Sequence, residues 1–207
     1  MKSKEVIFIA GCPGAGKDTM AEKYILEHKD YAHLSMGDIY RHIATNEFKS
    51  RFRDTLYEDV RQKRLSSAET TTGVLFEAIE QNDSPNYIVS GFPHHMSEIK
   101  EFKKMSELYA ISYSDVIFFD VSKRNAIQRM VSRGIRPMEM LKMHDNETVS
   151  AYYTRRYNDY MQQLPHLLAV LNSAYDVKHI NANATIEQVY AQFCAAIGPR
   201  SKSQRVK

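Results

Sequence analysis

Residues 6–19 read VIFIAGCPGAGKDT, a short apolar run that leads directly into a glycine-rich loop. Residues 6–10 are rich in β-formers and predict a strand, and the sequence from Lys17 onward has the pattern of a helix. Glycines permit backbone torsions that side chains forbid, so successive N–H groups of the loop can converge on phosphate oxygens. The N-terminus of the helix adds a favourable partial charge. Strand, loop and helix together predict a phosphate-binding site.

Side chains of this loop supply what a nucleotide triphosphate requires. Lys17 places a cation near the β- and γ-phosphates, and the hydroxyl of Thr19 can reach a Mg²⁺ ion bound to them. The strict motif has Ser or Thr directly after the lysine, whereas Asp18 stands there in this chain. We therefore predict ATP and Mg²⁺ at this loop, with Thr19 as the metal-binding residue. The predicted ATP-binding residues of the loop are Pro13, Gly14, Ala15, Gly16, Lys17, Asp18 and Thr19.

The composition is that of a globular protein of one domain. The 207 residues, of which 43% are hydrophobic and 26% charged, suffice for a core without disulfides. The net charge of +3 suits an anionic ligand but lacks the dense basic stripe of a nucleic-acid binder. Two cysteines, Cys12 and Cys194, indicate a reducing compartment, and the N-terminal apolar run is too short for a signal peptide or a membrane span. We expect a cytoplasmic monomer that binds neither nucleic acid nor membrane.

The rest of the chain alternates short β-rich runs with amphipathic stretches, which indicates strand–helix units and a parallel sheet. The predicted strands are residues 6–10, 31–35, 87–90, 115–121 and 176–180. The predicted helices are residues 17–28, 37–44, 52–61, 68–81, 97–109, 123–133, about 148–172 and 186–196. In the longest helix an apolar stripe recurs every three or four residues and should face the core. The stripe consists of Tyr153, Tyr157, Tyr160, Leu164, Leu167 and Leu171.

Five segments form one ordered pattern along about residues 5–197. The first is the loop GCPGAGKDT (11–19), with its internal proline and its hydroxyl shifted by one residue. The others are HLSMGDIYR (33–41), SGFPHHMSE (90–98), DVIFFDVSKRNAIQRMVSRG (115–134) and HINANATIEQVYAQF (179–193). In this order they resemble the adenylate kinases and related nucleoside-monophosphate kinases.

The resemblance implies an α/β fold of the P-loop kinase type, with a five-stranded parallel sheet flanked by helices. It implies a single domain over residues 1–197, with a helical monophosphate-binding subdomain near 35–68 and a short lid near 134–146. Residues 198–207 should form a basic, disordered tail. The implied reaction is reversible transfer of the γ-phosphoryl group from MgATP to a nucleoside monophosphate, nominally AMP.

The resemblance also implies roles for individual side chains. Arg155 would swing in as the lid closes, Ala184 would meet the adenine of ATP through its backbone, and Arg41 would bind the phosphate of the acceptor. The implied catalytic residues are Lys17, Arg129, Arg133 and Arg155, and Arg129 and Ala184 would also bind ATP. The implied residues for the monophosphate are Met36, Arg41, Ser66, Gly91, His94 and Glu98.

Two departures from the family pattern weaken the phosphate site. Ser90 stands where the family has an acidic residue that organises water around Mg²⁺, so the affinity for Mg²⁺ should fall unless Asp18 or Asp120 compensates. His94 stands where the family has an arginine that contacts the phosphates of both nucleotides. A neutral imidazole is a weaker clamp than a guanidinium.

A third departure concerns the acceptor base. Glu98 replaces the glutamine that reads the base in the family, and a carboxylate only accepts hydrogen bonds. Facing the base, it would oppose the N1 acceptor of adenine but could accept both adjacent donors of guanine with its two oxygens. Alternatively, Glu98 turns to solvent or pairs with a cation such as Arg41.

The lid is the fourth departure. Its sequence IRPMEMLKMHDN (135–146) offers Arg136 and one clear aspartate, Asp145, where the family has an arginine and two aspartates. Two alternatives to a working nucleoside-monophosphate kinase therefore stay open. One is a nucleotide-binding protein of the same fold with little or no activity, and the other is a P-loop kinase of a different small acceptor.

Overall fold

Five strands form one sheet in the order β2-β3-β1-β4-β5. The computed structural model describes residues 4–62, 64–140 and 142–198. The strands are β1 (Lys4–Ala10), β2 (Tyr31–Ser35), β3 (Asn86–Ser90), β4 (Ile111–Asp120) and β5 (Asp176–Asn181). Strand β3 pairs in parallel with both β1 and β2, with Ile88 opposite Ile7 on one side and His33 on the other.

Helices connect the strands. They are α1 (Lys17–Glu27), α2 (Met36–Ala44), α3 (Arg53–Arg61), α4 (Ala68–Glu80), α5 (Met96–Leu108), α6 (Lys123–Arg133), α7 (Pro137–Met140), α8 (Val149–Ala174) and α9 (Ile186–Ile197). The α/β class with a sheet flanked by helices is therefore confirmed. In the described part of the chain, no helix has both the length and the apolar character needed to cross a membrane.

The described residues form two compact units. The first comprises residues 4–9 and 21–115, and the second comprises residues 10–20 and 116–198. In the first unit, the ring of Phe8 packs at 5.1 Å from Phe102 and at 5.7 Å from Phe92. Helix α4 is buried along most of its length, and a Cβ at Gly73 would lie 2.3 Å from the ring of Phe52. The absence of a side chain at Gly73 therefore lets this ring pack directly against the helix.

The core of the second unit includes the C-terminal part of β4, where Phe119 packs against Phe193 of α9 at 5.7 Å. The predicted stripe of α8 needs correction. Tyr160 and Leu164 are only half-buried, whereas Tyr152 and Val170 are buried. An α-helix has 3.6 residues per turn, so residues that recur at a fixed spacing of three or four do not stay on the buried face over 26 residues.

Two further elements differ from expectation. Strand β4 begins at Ile111, four residues before the expected start, and the hydroxyl of Ser112 donates to the carbonyl of Lys4 at 3.2 Å. The short helix α7 was not expected, because one turn is too short to show a helical period in the sequence. It lies within the predicted lid, of which residue 141 is outside the described residues, as are residues 199–207 of the predicted tail.

Candidate active site

The glycine-rich loop lies in the second unit between β1 and α1. Gly11 and Gly14 have φ values of 142° and 82°, in the region that favours glycine. A Cβ at Gly14 would lie 2.4 Å from the carbonyl oxygen of Ala126, and one at Gly11 would lie 2.8 Å from that of Phe119. The loop therefore passes so close to β4 and α6 that only glycine fits at these two positions.

Lys17 is held inside this loop. Its Nζ donates to the carbonyl oxygens of Gly11 at 2.7 Å and Cys12 at 3.1 Å. Burial lowers the pKa of Lys17, and the charge of Asp18 opposes this effect. The ammonium group is thus positioned by the backbone before any ligand binds, which is what electrostatic stabilisation of a transferring phosphoryl group requires.

The other polar side chains of the loop differ in exposure. Thr19, in the first turn of α1, is exposed, and Asp18 is half-buried. Cys12 is a buried free thiol, and burial raises its pKa to about 11. The thiol is therefore protonated at neutral pH and does not neutralise the charge of Lys17.

Arg129 joins the loop to the turn that follows β5. Its Nη2 donates to the carbonyl of Ala182 at 2.8 Å, and its Nη1 donates to that of Ala15 at 3.4 Å. Ala184, the predicted adenine contact, lies in the same turn as Ala182. The glycine-rich loop, α6 and the turn after β5, each of which contains a residue predicted to bind ATP, are thereby brought together.

The same turn contains a residue that the sequence did not single out. The side-chain oxygen of Asn183 accepts from the backbone N–H of Ser122 at 2.8 Å and from the amide of Asn125 at 3.0 Å. The turn after β5 is thus fastened to the beginning of α6. The polar run of Asn181 and Asn183 in the sequence was the available signal.

Arg133 belongs to a cluster centred on Glu139 of α7. Its Nη2 donates to both carboxylate oxygens of Glu139, at 3.0 and 3.1 Å, and Arg156 donates to the same carboxylate. The hydroxyl of Tyr153 and the backbone N–H of Arg136 also donate to it, at 2.9 and 3.0 Å. Burial alone would raise the pKa of Glu139, but these hydrogen bonds and charges hold it below the ordinary value.

Arg155 has a different environment from its neighbour Arg156. It makes two hydrogen bonds to the carboxylate of Glu147, at 2.9 and 2.8 Å, and a third to the carbonyl of Lys142 at 3.0 Å. The positive charge of Arg156, in contrast, contributes to the lowered pKa of Lys17. Arg156, which sequence reasoning missed, is therefore the arginine of this pair that lies near the loop lysine.

The residues predicted for the monophosphate lie in the first unit. Arg41 forms an ion pair with Asp38 one turn earlier in α2, and Met36 is buried at the beginning of that helix. The segment before α4 contains Ser66 and Arg64, and Nε of Arg64 donates to the carboxylate of Asp59 at 2.6 Å. These contacts order the helices that would surround an acceptor.

Gly91, with φ 75°, follows β3 directly, and a Cβ there would meet the side chain of Met36 at 3.5 Å. The side chain of His94 is exposed. Tyr40, for which the sequence predicted no role, has a pKa raised by burial, and the nearby Thr71 opposes this effect.

Glu98 is buried, and its carboxylate accepts hydrogen bonds from the backbone. Its Oε2 accepts from the backbone N–H of His94 at 2.6 Å and from that of His95 at 3.3 Å. The alternatives of a solvent-facing carboxylate or a pair with Arg41 are therefore wrong. One of the two carboxylate oxygens is thus engaged by the backbone, and recognition of the acceptor base by Glu98 stays a prediction.

Ser90, at the carboxyl end of β3, is buried and its Oγ lies 3.2 Å from Nε2 of His33. Asp120, at the carboxyl end of β4, is paired with Nδ1 of His179 at 2.8 Å. Among the described residues, no group of three or more His, Cys, Asp or Glu side chains is arranged to hold a metal ion. The chain thus offers single oxygen ligands, such as the Thr19 hydroxyl, which suit a Mg²⁺ ion that arrives with phosphate and water ligands.

Comparison with known proteins agrees with this geometry. The family model described as adenylate kinase matches residues 9–176. UMP-CMP kinase 3 of Arabidopsis thaliana is 28% identical over 202 residues, which cover 97% of this chain and 93% of that protein. Adenylate kinase isoenzyme 1 of Homo sapiens is 25% identical over 197 residues, which cover 94% of each chain. The chain therefore belongs to the adenylate kinase family and is a phosphotransferase.

Proposed function

We propose that this protein is a nucleoside-monophosphate kinase that takes the γ-phosphoryl group of MgATP. The observation that carries the proposal is the loop lysine. Lys17 is held by two backbone carbonyls of a loop that requires glycine at Gly11 and Gly14. Arg129 joins this loop to the turn after β5. This arrangement favours a bound triphosphate.

The proposed reaction transfers one phosphoryl group between two nucleotides. A phosphate oxygen of the monophosphate attacks the γ-phosphorus of ATP, the bond from that phosphorus to the β–γ bridging oxygen breaks, and ADP and a nucleoside diphosphate form. The protein needs to position the partners and to neutralise charge on the transferring group. We assign this role to Lys17, Arg129, Arg133 and Arg156, and we propose that Mg²⁺ enters with ATP and meets the Thr19 hydroxyl.

We propose AMP as the acceptor, in keeping with the family as a whole. UMP and CMP are the second candidates, because the UMP-CMP kinase of Arabidopsis thaliana shares slightly more identity with this chain than the human adenylate kinase does. Arg41 would bind the phosphate of either acceptor. We also propose that the protein acts as a cytoplasmic monomer without nucleic acid, which its two free thiols and its net charge of +3 support.

Turnover of AMP, GMP, CMP and UMP with MgATP tests the activity. We expect wild type to convert at least one of them, with AMP showing the highest kcat/KM. Lys17→Ala should abolish turnover and weaken ATP binding about 10- to 150-fold, since a charged hydrogen bond contributes about 1.5–3 kcal/mol. Exposed Lys29, which lies outside the loop, provides the matched control in Lys29→Ala. Unchanged ATP affinity in a folded Lys17→Ala variant would refute the placement of the site.

A further inference from the structure

The carboxylate of Glu139 lies at the centre of a cluster of polar side chains. The family resemblance implied no role for this residue. Two guanidinium groups, of Arg133 and Arg156, share this one carboxylate. Its side chain is 13% exposed, whereas those of the two arginines are 37% and 34% exposed. The anion is thus enclosed and the cations reach outward from it.

Each arginine uses only one of its nitrogens in this cluster. Among the described residues, Arg133 donates through Nη2 alone, to Glu139 and to the Tyr153 hydroxyl, and Arg156 donates through Nη1 alone. A guanidinium has five N–H donors on three nitrogens. The remaining donors of both side chains can therefore bind phosphate oxygens while the contact with Glu139 persists.

The cluster is also anchored to rigid parts of the second unit. The hydroxyl oxygen of Tyr153 lies 2.7 Å from the carbonyl oxygen of Gly134, and the single hydroxyl proton is shared between this carbonyl and Glu139. Tyr153 is buried with Met130 in a local apolar cluster. The guanidinium of Arg133 lies over the ring of Tyr153 at 5.8 Å, and that of Arg156 lies over Tyr152 at the same distance. Both cations are therefore fixed in direction as well as in position.

We propose that Glu139 is a positioning residue, which holds Arg133 and Arg156 in the orientation that receives the triphosphate of ATP. The positive charges of Arg133 and Arg156, which contact the same carboxylate, repel each other. The negative charge of Glu139 offsets this repulsion until the phosphates of ATP bind. The inference rests on the proposed function, because it assigns these arginines to the donor nucleotide. It deepens that function by naming a residue of this chain's own lid sequence.

A competing role makes the opposite prediction. If Glu139 sequesters the arginines and must be displaced by ATP, its removal would strengthen ATP binding. If it positions them, its removal would weaken binding and slow transfer. Each arginine contacts Glu139 through only one of its nitrogens. This favours positioning, because a sequestering carboxylate would occupy the N–H groups that are needed to bind ATP.

Glu139→Gln tests the proposal, with kcat, KM for ATP, KM for the acceptor and thermal unfolding measured on the full chain. We expect kcat to fall about tenfold, equivalent to about 1.4 kcal/mol, with a weaker apparent affinity for ATP and an unchanged KM for the acceptor. Glu139→Asp, which retains the charge on a shorter side chain, should restore part of the loss. Glu101→Gln, which removes an α5 carboxylate paired with Lys104, is the matched control and should leave all constants unchanged.

ATP affinity, measured by calorimetry without an acceptor, separates this proposal from the proposed function. If wild type shows no turnover with any monophosphate, the proposed function fails, and weaker ATP binding by Glu139→Gln still supports the role of Glu139. Stronger ATP binding or faster turnover would overturn positioning in favour of sequestration. A lower unfolding temperature with unchanged kcat and ATP affinity would reduce Glu139 to a structural role. If Glu139→Gln does not fold, Glu139→Asp decides instead: kcat and ATP affinity below those of wild type support positioning, and values equal to or above those of wild type overturn it.

Discussion

Glu98 shows how a backbone contact can occupy a side chain that sequence comparison assigns to a ligand. Glu98 lies three residues after His95, the residue that precedes α5. Its Oε2 accepts hydrogen bonds from the backbone N–H groups of His95 and His94. The first N–H groups of a helix have no partner within the helix, so an acceptor at this position stabilises its beginning. The carboxylate therefore orders the segment that carries His94.

This contact predicts the effects of two substitutions at residue 98. Glu98→Ala should lower the free energy of unfolding by about 1 kcal/mol, a typical loss for a helix cap, whereas Glu98→Gln retains an acceptor oxygen and should cost less. Urea unfolding followed by circular dichroism measures both. We also expect the ratio of kcat/KM for AMP and GMP to be the same in Glu98→Gln as in wild type. A change of about tenfold in this ratio would return the carboxylate to base recognition.

At the scale of the element, helix α8 separates two arginines that are adjacent in the sequence. Successive residues of a helix point about 100° apart. Arg155 therefore pairs with Glu147, just before the helix begins, while Arg156 pairs with Glu139 of α7. Burial and the charge of Asp18 act most strongly on the pKa of Lys17, and of the two arginines it is Arg156 whose charge also lowers it. The register of α8 thus separates the environments of the two arginines, and we propose that Arg156 is the one that binds the phosphates.

Alanine substitutions at these two positions form a matched pair. Arg156→Ala should lower kcat about 30-fold or more, because it removes a charged contact of about 2–3 kcal/mol to the transferring group. Arg155→Ala removes an ion pair with Glu147 and should change kcat less than about threefold. Steady-state kinetics at saturating AMP compares them directly. The reverse order of effects would return the catalytic role to Arg155.

At the scale of the whole molecule, we expect carboxylates bound to arginines to contribute to stability against acid. Hydrogen bonds from Arg155 and from the backbone of His144 hold the pKa of Glu147 at about 2, against an ordinary value of 4.5. The pKa of Glu139 is also lowered. A carboxyl whose pKa is lower in the folded state contributes stability above its unfolded pKa, and that contribution is lost as pH falls through the folded pKa.

Thermal unfolding between pH 6 and pH 2 tests this linkage. The unfolding temperature of wild type should fall progressively below about pH 4.5, as the unfolded state begins to bind protons that the folded state excludes. Glu147→Gln lacks this titration, so its unfolding temperature should depend less on pH in this range and should approach that of wild type near pH 2. Equal pH dependence of Glu147→Gln and wild type would show that the Arg155 pair contributes nothing to acid stability.

The sequence by itself determined the features that depend on neighbouring residues. The loop between β1 and α1, the lysine within it and the bounds of α6 all follow from patterns that span fewer than about twenty residues. The α/β class and the family follow from the order of five such patterns. A glycine that must accept a positive φ, such as Gly14, is also visible locally, because its backbone requirement belongs to the loop itself.

The tertiary structure alone decided which side chains meet across long separations. Glu139 of α7 reaches Arg156 and Tyr153 of α8, 17 and 14 residues further along the chain, and no local spacing in the sequence predicts these contacts. Arg129 reaches Ala182 over 53 residues because β5 and its turn lie beside the loop. Local patterns set backbone conformation, whereas the direction of each charged side chain is set by packing and by the nearest opposite charge, which only the folded chain brings into contact.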